Sequence, residues 1–131
     1  MYTVRVRDHF MIAHSFRGEI FGPAQKLHGA TYVVDVEFRS PSLDDNGIVV
    51  DIGLATDVVR RILGELNYRN LDDDPSLTGN TTTEVLARTV FDRIAAAIGR
   101  GEIGKGGRAV ESMRVTLNES HVASASYEGR L

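Results

Sequence analysis

The sequence predicts an α+β fold, an antiparallel four-stranded sheet with two helices on one face. Three observations lead there. Apolar residues alternate near both ends of the chain, apolar residues recur four apart in its middle, and short polar turns join the alternating runs. The order is β-β-α-α-β-β over residues 1–131, a length expected to form one domain.

Val4 and Val6 alternate with Thr3, Arg5 and Arg7, and Phe10 and Ile12 continue the same parity, which predicts the first half-buried strand. From Ser15 to Leu27 the alternation breaks, with Gly18, Gly22 and Pro23 as punctuation. Tyr32, Val34, Val36 and Phe38 form one face of a second strand, and Ser40 to Gly47 reads as a turn. Leu54, Val58, Ile62 and Leu66, with Val59 and Leu63 beside them, predict an amphipathic helix. Asp72-Asp73-Asp74-Pro75 closes that region in a solvated loop. Thr81, followed three residues later by Glu84, fits a capping box. The helix it opens carries Leu86, Val90, Ile94 and Ile98 and stops at Gly99 and Gly101. Gly104 to Gly107 reads as a flexible loop without phosphate-binding spacing. Met113, Val115 and Leu117 predict a third strand, and Ala123 to Tyr127 a fourth. The two edges of such a sheet favour pairing with other chains.

Composition narrows the function. Fifteen Lys+Arg against eighteen Asp+Glu gives a net charge of −3, without the basic footprint of a nucleic-acid binder. No apolar run approaches the ~18 residues of a membrane span. Met1-Tyr2-Thr3-Val4-Arg5 opens directly into alternation, so no signal peptide is expected and the cytoplasm is the default compartment. With no cysteine, there is neither a disulfide framework nor a thiol nucleophile.

Strand parity singles out a few polar side chains. His14 follows Ile12, His28 and Ala30 precede Tyr32, and Glu119 follows Leu117, each where an apolar face ends. Glu119 reads as a structural ion pair, an exposed strand end, or a shielded carboxylate that takes a ligand. His14 and His28 read as hydrogen-bonded core histidines or as site residues, and two histidines alone do not make a zinc site. His9 and His121 read as solvated, and Glu84 as a capping residue.

Several segments, in order, resemble the 6-pyruvoyl- and 6-carboxy-tetrahydropterin synthases over nearly the whole chain. Phe10-Met11-Ile12-Ala13-His14 is similar to the family's F-x-A-A-H, and Leu27-His28-Gly29-Ala30-Thr31-Tyr32 to its H-G-H-x-Y. Gly47-Ile48-Val49-Val50-Asp51-Ile52 resembles G-x-V-x-D-F. Thr82-Thr83-Glu84-Val85-Leu86-Ala87 resembles the helix start that lines the pterin pocket. Leu117-Asn118-Glu119-Ser120, with Tyr127 downstream, resembles the segment whose Glu anchors the pterin ring. The resemblance implies the tunnelling fold (T-fold) and a barrel-forming homo-oligomer, a hexamer made as a dimer of trimers. It also implies a pocket between subunits, with the Thr-Thr-Glu turn supplied by a different chain from Glu119 and the His14/His28 wall.

The departures from the family pattern fall on its chemistry. Ala30 stands where the family has its third zinc-ligating His, so no metal is expected. Gly22-Pro23-Ala24-Gln25 replaces the stretch that carries the family's cysteine base. Leu66-Asn67-Tyr68-Arg69-Asn70-Leu71-Asp72 replaces a motif with an Asp-His pair, leaving an amide and a phenol at Asn67 and Tyr68. The expected function is therefore a synthase homologue without classical synthase activity and without a cofactor. It is expected to bind a pterin-like or purine-like heterocycle through Glu119, with Thr82, Thr83, Glu84, His14 and His28 around it. A carboxylate suits a pterin because it accepts the ring amide N–H and the exocyclic amine in a fork. The alternatives are a metal-independent lyase, aldolase or epimerase of dihydropterins using Tyr68, His14, His28 or Lys26, and a non-catalytic structural or regulatory ring. A remnant zinc enzyme, with water or His121 in the missing ligand position, is the third alternative.

Overall fold

The computed structural model describes residues 1–104 and 109–131. Strands β1 (Tyr2–His14) and β2 (His28–Ser40) pair antiparallel along their whole length, from Tyr2 opposite Ser40 to His14 opposite His28. Their shared parity turns Val6, Phe10, Ile12, Tyr32, Val34, Val36 and Phe38 toward the helices, where all are buried. Between the strands, Glu19–Gln25 forms a kinked 3-10 segment containing Pro23, with Gly22 at φ 51°.

Helix α1 (Ile52–Gly64) is capped by Asp51, whose carboxylate accepts the Leu54 N–H at 3.0 Å. Its buried stripe is Ala55, Val58, Val59, Ile62 and Leu63. Leu54, expected in that stripe, lies in the first turn and is exposed, whereas Leu66 beyond the helix end is fully buried. Helix α2 (Thr83–Gly99) buries Leu86, Val90, Ile94 and Ile98 as its spacing predicts. The chain leaves α2 through Gly101 at φ 81°, a left-handed conformation that glycine adopts without a Cβ clash. The capping box does not form. Thr82, not Thr81, is the cap and accepts the Val85 N–H, so Glu84 sits one position too early to close the box.

The sheet has five strands, ordered β3-β1-β2-β4-β5, rather than four. The addition is β3 (Arg69–Asn70), two residues running parallel to Ile12–Ala13, so the sheet is mixed. The chain is docked there by the Tyr68 N–H, which donates to the Met11 carbonyl at 2.7 Å, and by Asn67 Oδ1, which accepts the Met11 N–H at 2.9 Å. Two residues are too few to leave an alternation pattern. Strands β4 (Ser112–Asn118) and β5 (Ser124–Arg130) complete the sheet, β5 running three residues beyond the Tyr127 end expected for it. The sheet of the single chain is open, not a closed barrel. Of the expected loop Gly104–Gly107, residues 105–107 lie outside the described residues.

The helices cover one face of the sheet, and the other face is polar. Arg39 and Arg114 both pair with Glu128 there, at 2.8 and 2.9 Å, and Arg7 pairs with Asp35. Among the described residues no helix is long and apolar enough to cross a membrane.

Candidate functional site

Where the apolar layer runs out, β1 and β2 end opposite each other at His14 and His28. The two rings stand edge-on at 4.6 Å, with Phe16 at 4.5 Å from His14 and 5.5 Å from His28. His14 is 1% exposed, and its Nδ1 shares a 2.9 Å hydrogen bond with the hydroxyl of Thr81, which is also buried. Burial holds the His14 imidazole below its ordinary value, and the neighbouring His28 adds to this. His28 is anchored from its own strand entry. Its Nδ1–H donates to the Lys26 carbonyl at 2.8 Å, so the neutral ring keeps a lone pair on Nε2. Lys26 thus touches the site through its backbone.

The approach to α2 links these histidines to Glu119. Thr81 meets His14, Thr82 caps the helix, and the Thr83 hydroxyl donates to Glu119 Oε2 at 3.4 Å. Glu84 lies exposed in the first turn of α2, where the helix dipole favours a carboxylate. Thr83 and Glu119 therefore meet within the single chain, as do His14 and Thr81. Glu119 is also exposed rather than shielded in the single chain, because β4 stops at Asn118 and a tight bend follows, in which Glu119 N–H donates to the Ala123 carbonyl.

Tyr32 joins this cluster and is absent from the residues singled out by sequence. Burial pushes its phenol above the ordinary value; the hydrogen bond with Thr83 opposes that shift, and Glu119 and Glu84 reinforce it. The available signal was its parity, since Tyr32 lies on the same strand face as His28 and Ala30.

The model of the 6-pyruvoyl tetrahydropterin synthase family matches residues 3–130. The chain belongs to that family. It is 29% identical to the 6-carboxy-5,6,7,8-tetrahydropterin synthase of Bacillus subtilis over 93 residues, 67% of this chain and 62% of that protein. It is 29% identical to the 6-pyruvoyl tetrahydrobiopterin synthase of Dictyostelium discoideum over 79 residues, 58% of each. The chain thus spans about three fifths of the length of these relatives. The 6-pyruvoyl tetrahydropterin synthase structure from Caenorhabditis elegans shares the fold at a TM-score of 0.80 and 23% identity, over 98% of this chain and 95% of that one. The Plasmodium falciparum structure does so at 0.78 and 17%, over 99% and 98%.

Within the synthase family this chain is divergent, and the structure shows how the changed positions are used. Ala30 lies two residues from His28 on the same face of β2, and its methyl group offers a metal no donor. Among the described residues no group of three His, Cys, Asp or Glu could hold a metal ion. The donors present do not fit a zinc ion with three protein ligands. The Gly22–Gln25 stretch contains no thiol and lies in the kinked 3-10 segment. Asn67 spends its side-chain oxygen on the Met11 N–H, a sheet-edge clamp in place of a proton-transfer group. Tyr68 is 81% exposed and shares no hydrogen bond with either histidine among the described residues. Asp72, expected merely to be solvated, pins the chain after β1, its two oxygens accepting the Ser15 N–H and hydroxyl. His9 and His121 are exposed.

Proposed function

We propose that this divergent synthase homologue binds a pterin-like or purine-like heterocycle through Glu119 and does not carry out the zinc-dependent synthase reaction. The observation that carries the reading is the Thr83–Glu119 contact beside the His14–Thr81 bond, which joins three expected binding positions, Thr83, Glu119 and His14, through the approach to α2. The Glu119 carboxylate, set beside the start of α2, can accept two adjacent N–H donors, while the Thr82 and Thr83 hydroxyls serve ring heteroatoms. The open edges at β3 and β5 support assembly with further copies, a hexamer on the family resemblance.

Calorimetry of metal-stripped protein with pterin and guanine tests the reading. Saturable binding is expected, weakened about tenfold or more in Glu119→Gln, as for a hydrogen bond to a charged group. Absence of binding at millimolar ligand, with both rings, overturns it.

One observation favours a second reading, metal-independent lyase, aldolase or epimerase chemistry on a dihydropterin. The buried His14 is held neutral beside a His28 whose Nε2 is left available as a base. Turnover of a dihydropterin panel in the presence of chelator, abolished by His28→Gln, supports it; absence of turnover removes it.

A further inference from the structure

We infer that Asn118 is a positioning residue: its side chain clamps the end of β4 to β2 and so sets the place from which Glu119 meets the heterocycle. The inference rests on the binding role given to Glu119 above. Glu119 has little else to hold it. It is exposed, and among the described residues the one hydrogen-bond partner of its carboxylate is the Thr83 hydroxyl, at 3.4 Å. A contact of that length lies well beyond the usual O–H···O distance and holds a flexible side chain weakly. The backbone that carries Glu119 therefore decides where it stands.

That backbone lies just past the end of the sheet. Val33 opposite Asn118 is the last rung between β2 and β4, and Asn118 opposite Ser124 the last between β4 and β5. Residues 119–123 then turn back, with the Glu119 and Ser120 N–H groups sharing the Ala123 carbonyl at 3.1 and 3.3 Å. These bonds tie Glu119 to the entry of β5 and not to β2. Element ends with few contacts are the first to open.

Asn118 supplies the tie to β2. Its Nδ2 donates to the Val33 carbonyl at 2.9 Å and to Asp35 Oδ2 at 3.2 Å. Both neighbours are acceptors, so the amide nitrogen must face them, and both of its hydrogens are spent on β2. Asp35 is a fixed anchor. It is 7% exposed, and Arg7 holds it from β1 through Nε and Nη2, at 2.7 and 2.9 Å. The line Arg7–Asp35–Asn118 thus crosses β1, β2 and β4 and ends one residue before Glu119. Successive strand residues point to opposite faces. The clamp therefore works from the helix-free face while Glu119 reaches the Thr83 hydroxyl on the helix side. With its donors already used, Asn118 acts on the ligand through Glu119. A carboxylate carried on a fixed backbone loses less freedom when the ligand arrives.

Calorimetry with pterin on the metal-stripped full chain tests this by a double-mutant cycle. Asn118→Ala is expected to weaken binding about threefold to tenfold, the cost of ordering one long side chain on association. The same change is expected to alter affinity less than about twofold in Glu119→Gln, whose amide cannot accept both ring donors, so that no fork is left to place. Should Asn118→Ala fail to fold, Asn118→Thr carries the same cycle, a strand former with one donor in place of two. An equal loss in both backgrounds overturns the inference, because Asn118 would then act on the ligand or the fold directly. Unchanged affinity in Asn118→Ala, even with a lower urea midpoint, overturns it too and leaves the clamp a stability element. Either result leaves the role of Glu119 standing. No binding of pterin by the unmodified chain overturns that role and this inference together.

Discussion

His14 and Thr81, 67 positions apart in sequence, share a 2.9 Å hydrogen bond that ties the end of β1 to the approach to α2. Both side chains are buried, so neither has water to fall back on. Thr81→Val keeps the shape and removes the partner. It is expected to lower stability by about 1–3 kcal/mol, the range for a buried polar group left unpaired. Urea denaturation at pH 7.5 measures this, and an unchanged midpoint would show that the bond contributes nothing.

The same histidine sets a pH dependence. Burial, then His28, holds His14 below its ordinary value in the fold, with Asp72 and Thr81 opposing. The unfolded chain therefore binds the proton more readily. Stability from this group is complete above about pH 6.5, the unfolded value, and is lost as the pH falls from there through the lowered folded value. Asp35 and Asp72 shift below the ordinary carboxylate range, so their losses come at more acid pH. His14→Phe is expected to flatten the unfolding midpoint between pH 7 and 5 relative to the unmodified chain. An equal slope in both proteins would assign it elsewhere.

Of three consecutive threonines, only Thr82 caps α2. Thr82→Ala is expected to cost about 1 kcal/mol, and Thr83→Ala less, since its hydroxyl serves Glu119 and Tyr32 rather than the helix. Circular dichroism melts of the two variants compare them directly. A larger loss at Thr83 would place the cap one residue later.

These threonines mark where the sequence is legible and where it is not. The parity of β1 and β2 is visible because most even-numbered positions of two 13-residue strands are apolar and face one core. It carries His14 and His28 to the right face. The cap could not be assigned between Thr81 and Thr82, because the same residue type occupies both positions and a shift of one leaves the apolar stripe intact. Glu119 has the parity of Leu117, yet burial depends on what covers the position, and β4 ends one residue before it. Tyr32 lay hidden among the apolar residues of β2, since its hydroxyl matters only once Thr83 is brought to it. Asp35 lies on the strand face opposite that of Val34 and Val36, and its burial comes from Arg7 and Asn118 on the two flanking strands.

Tyr68 holds a left-handed backbone, φ 60°, the one non-glycine residue among those described to do so. Its ring is mostly exposed, so little packing repays the strain. Tyr68→Gly is expected to raise stability by up to about 1 kcal/mol, because relief of roughly 1–2 kcal/mol is partly offset by the greater freedom of glycine in the unfolded chain. A clear loss of stability would mean that the exposed ring makes contacts with a second copy, to be checked by repeating the melt across protein concentrations.

Gly129 on β5 is a close-approach glycine. A Cβ there would come within 2.9 Å of Phe91 Cζ. Phe91 is buried and stacked edge-on with Tyr127 at 4.8 Å, so it has little room to move. Gly129→Ala is expected to cost about 1–3 kcal/mol by overpacking, read from the urea midpoint. A neutral result would show that α2 shifts easily on the β4–β5 end of the sheet.

The last prediction asks whether Ala30 alone separates this chain from a metal site. His28 and residue 30 point to one face of β2, and His14 stands beside His28 at a ring separation of 4.6 Å. A third imidazole at position 30 would complete a donor set of the kind zinc takes, three histidines with one position open. Ala30→His is expected to gain a zinc-dependent rise in Tm. With zinc at one hundred times its dissociation constant the gain is about 2.7 kcal/mol, a shift of roughly 10 °C for a chain of this size. The unmodified chain is expected to melt at the same temperature with zinc or with chelator. An equal shift in the unmodified chain would mean that water or His121 already serves as the missing ligand. No shift in Ala30→His would mean that the Thr81 and Lys26 bonds turn the two histidines away from a common metal position.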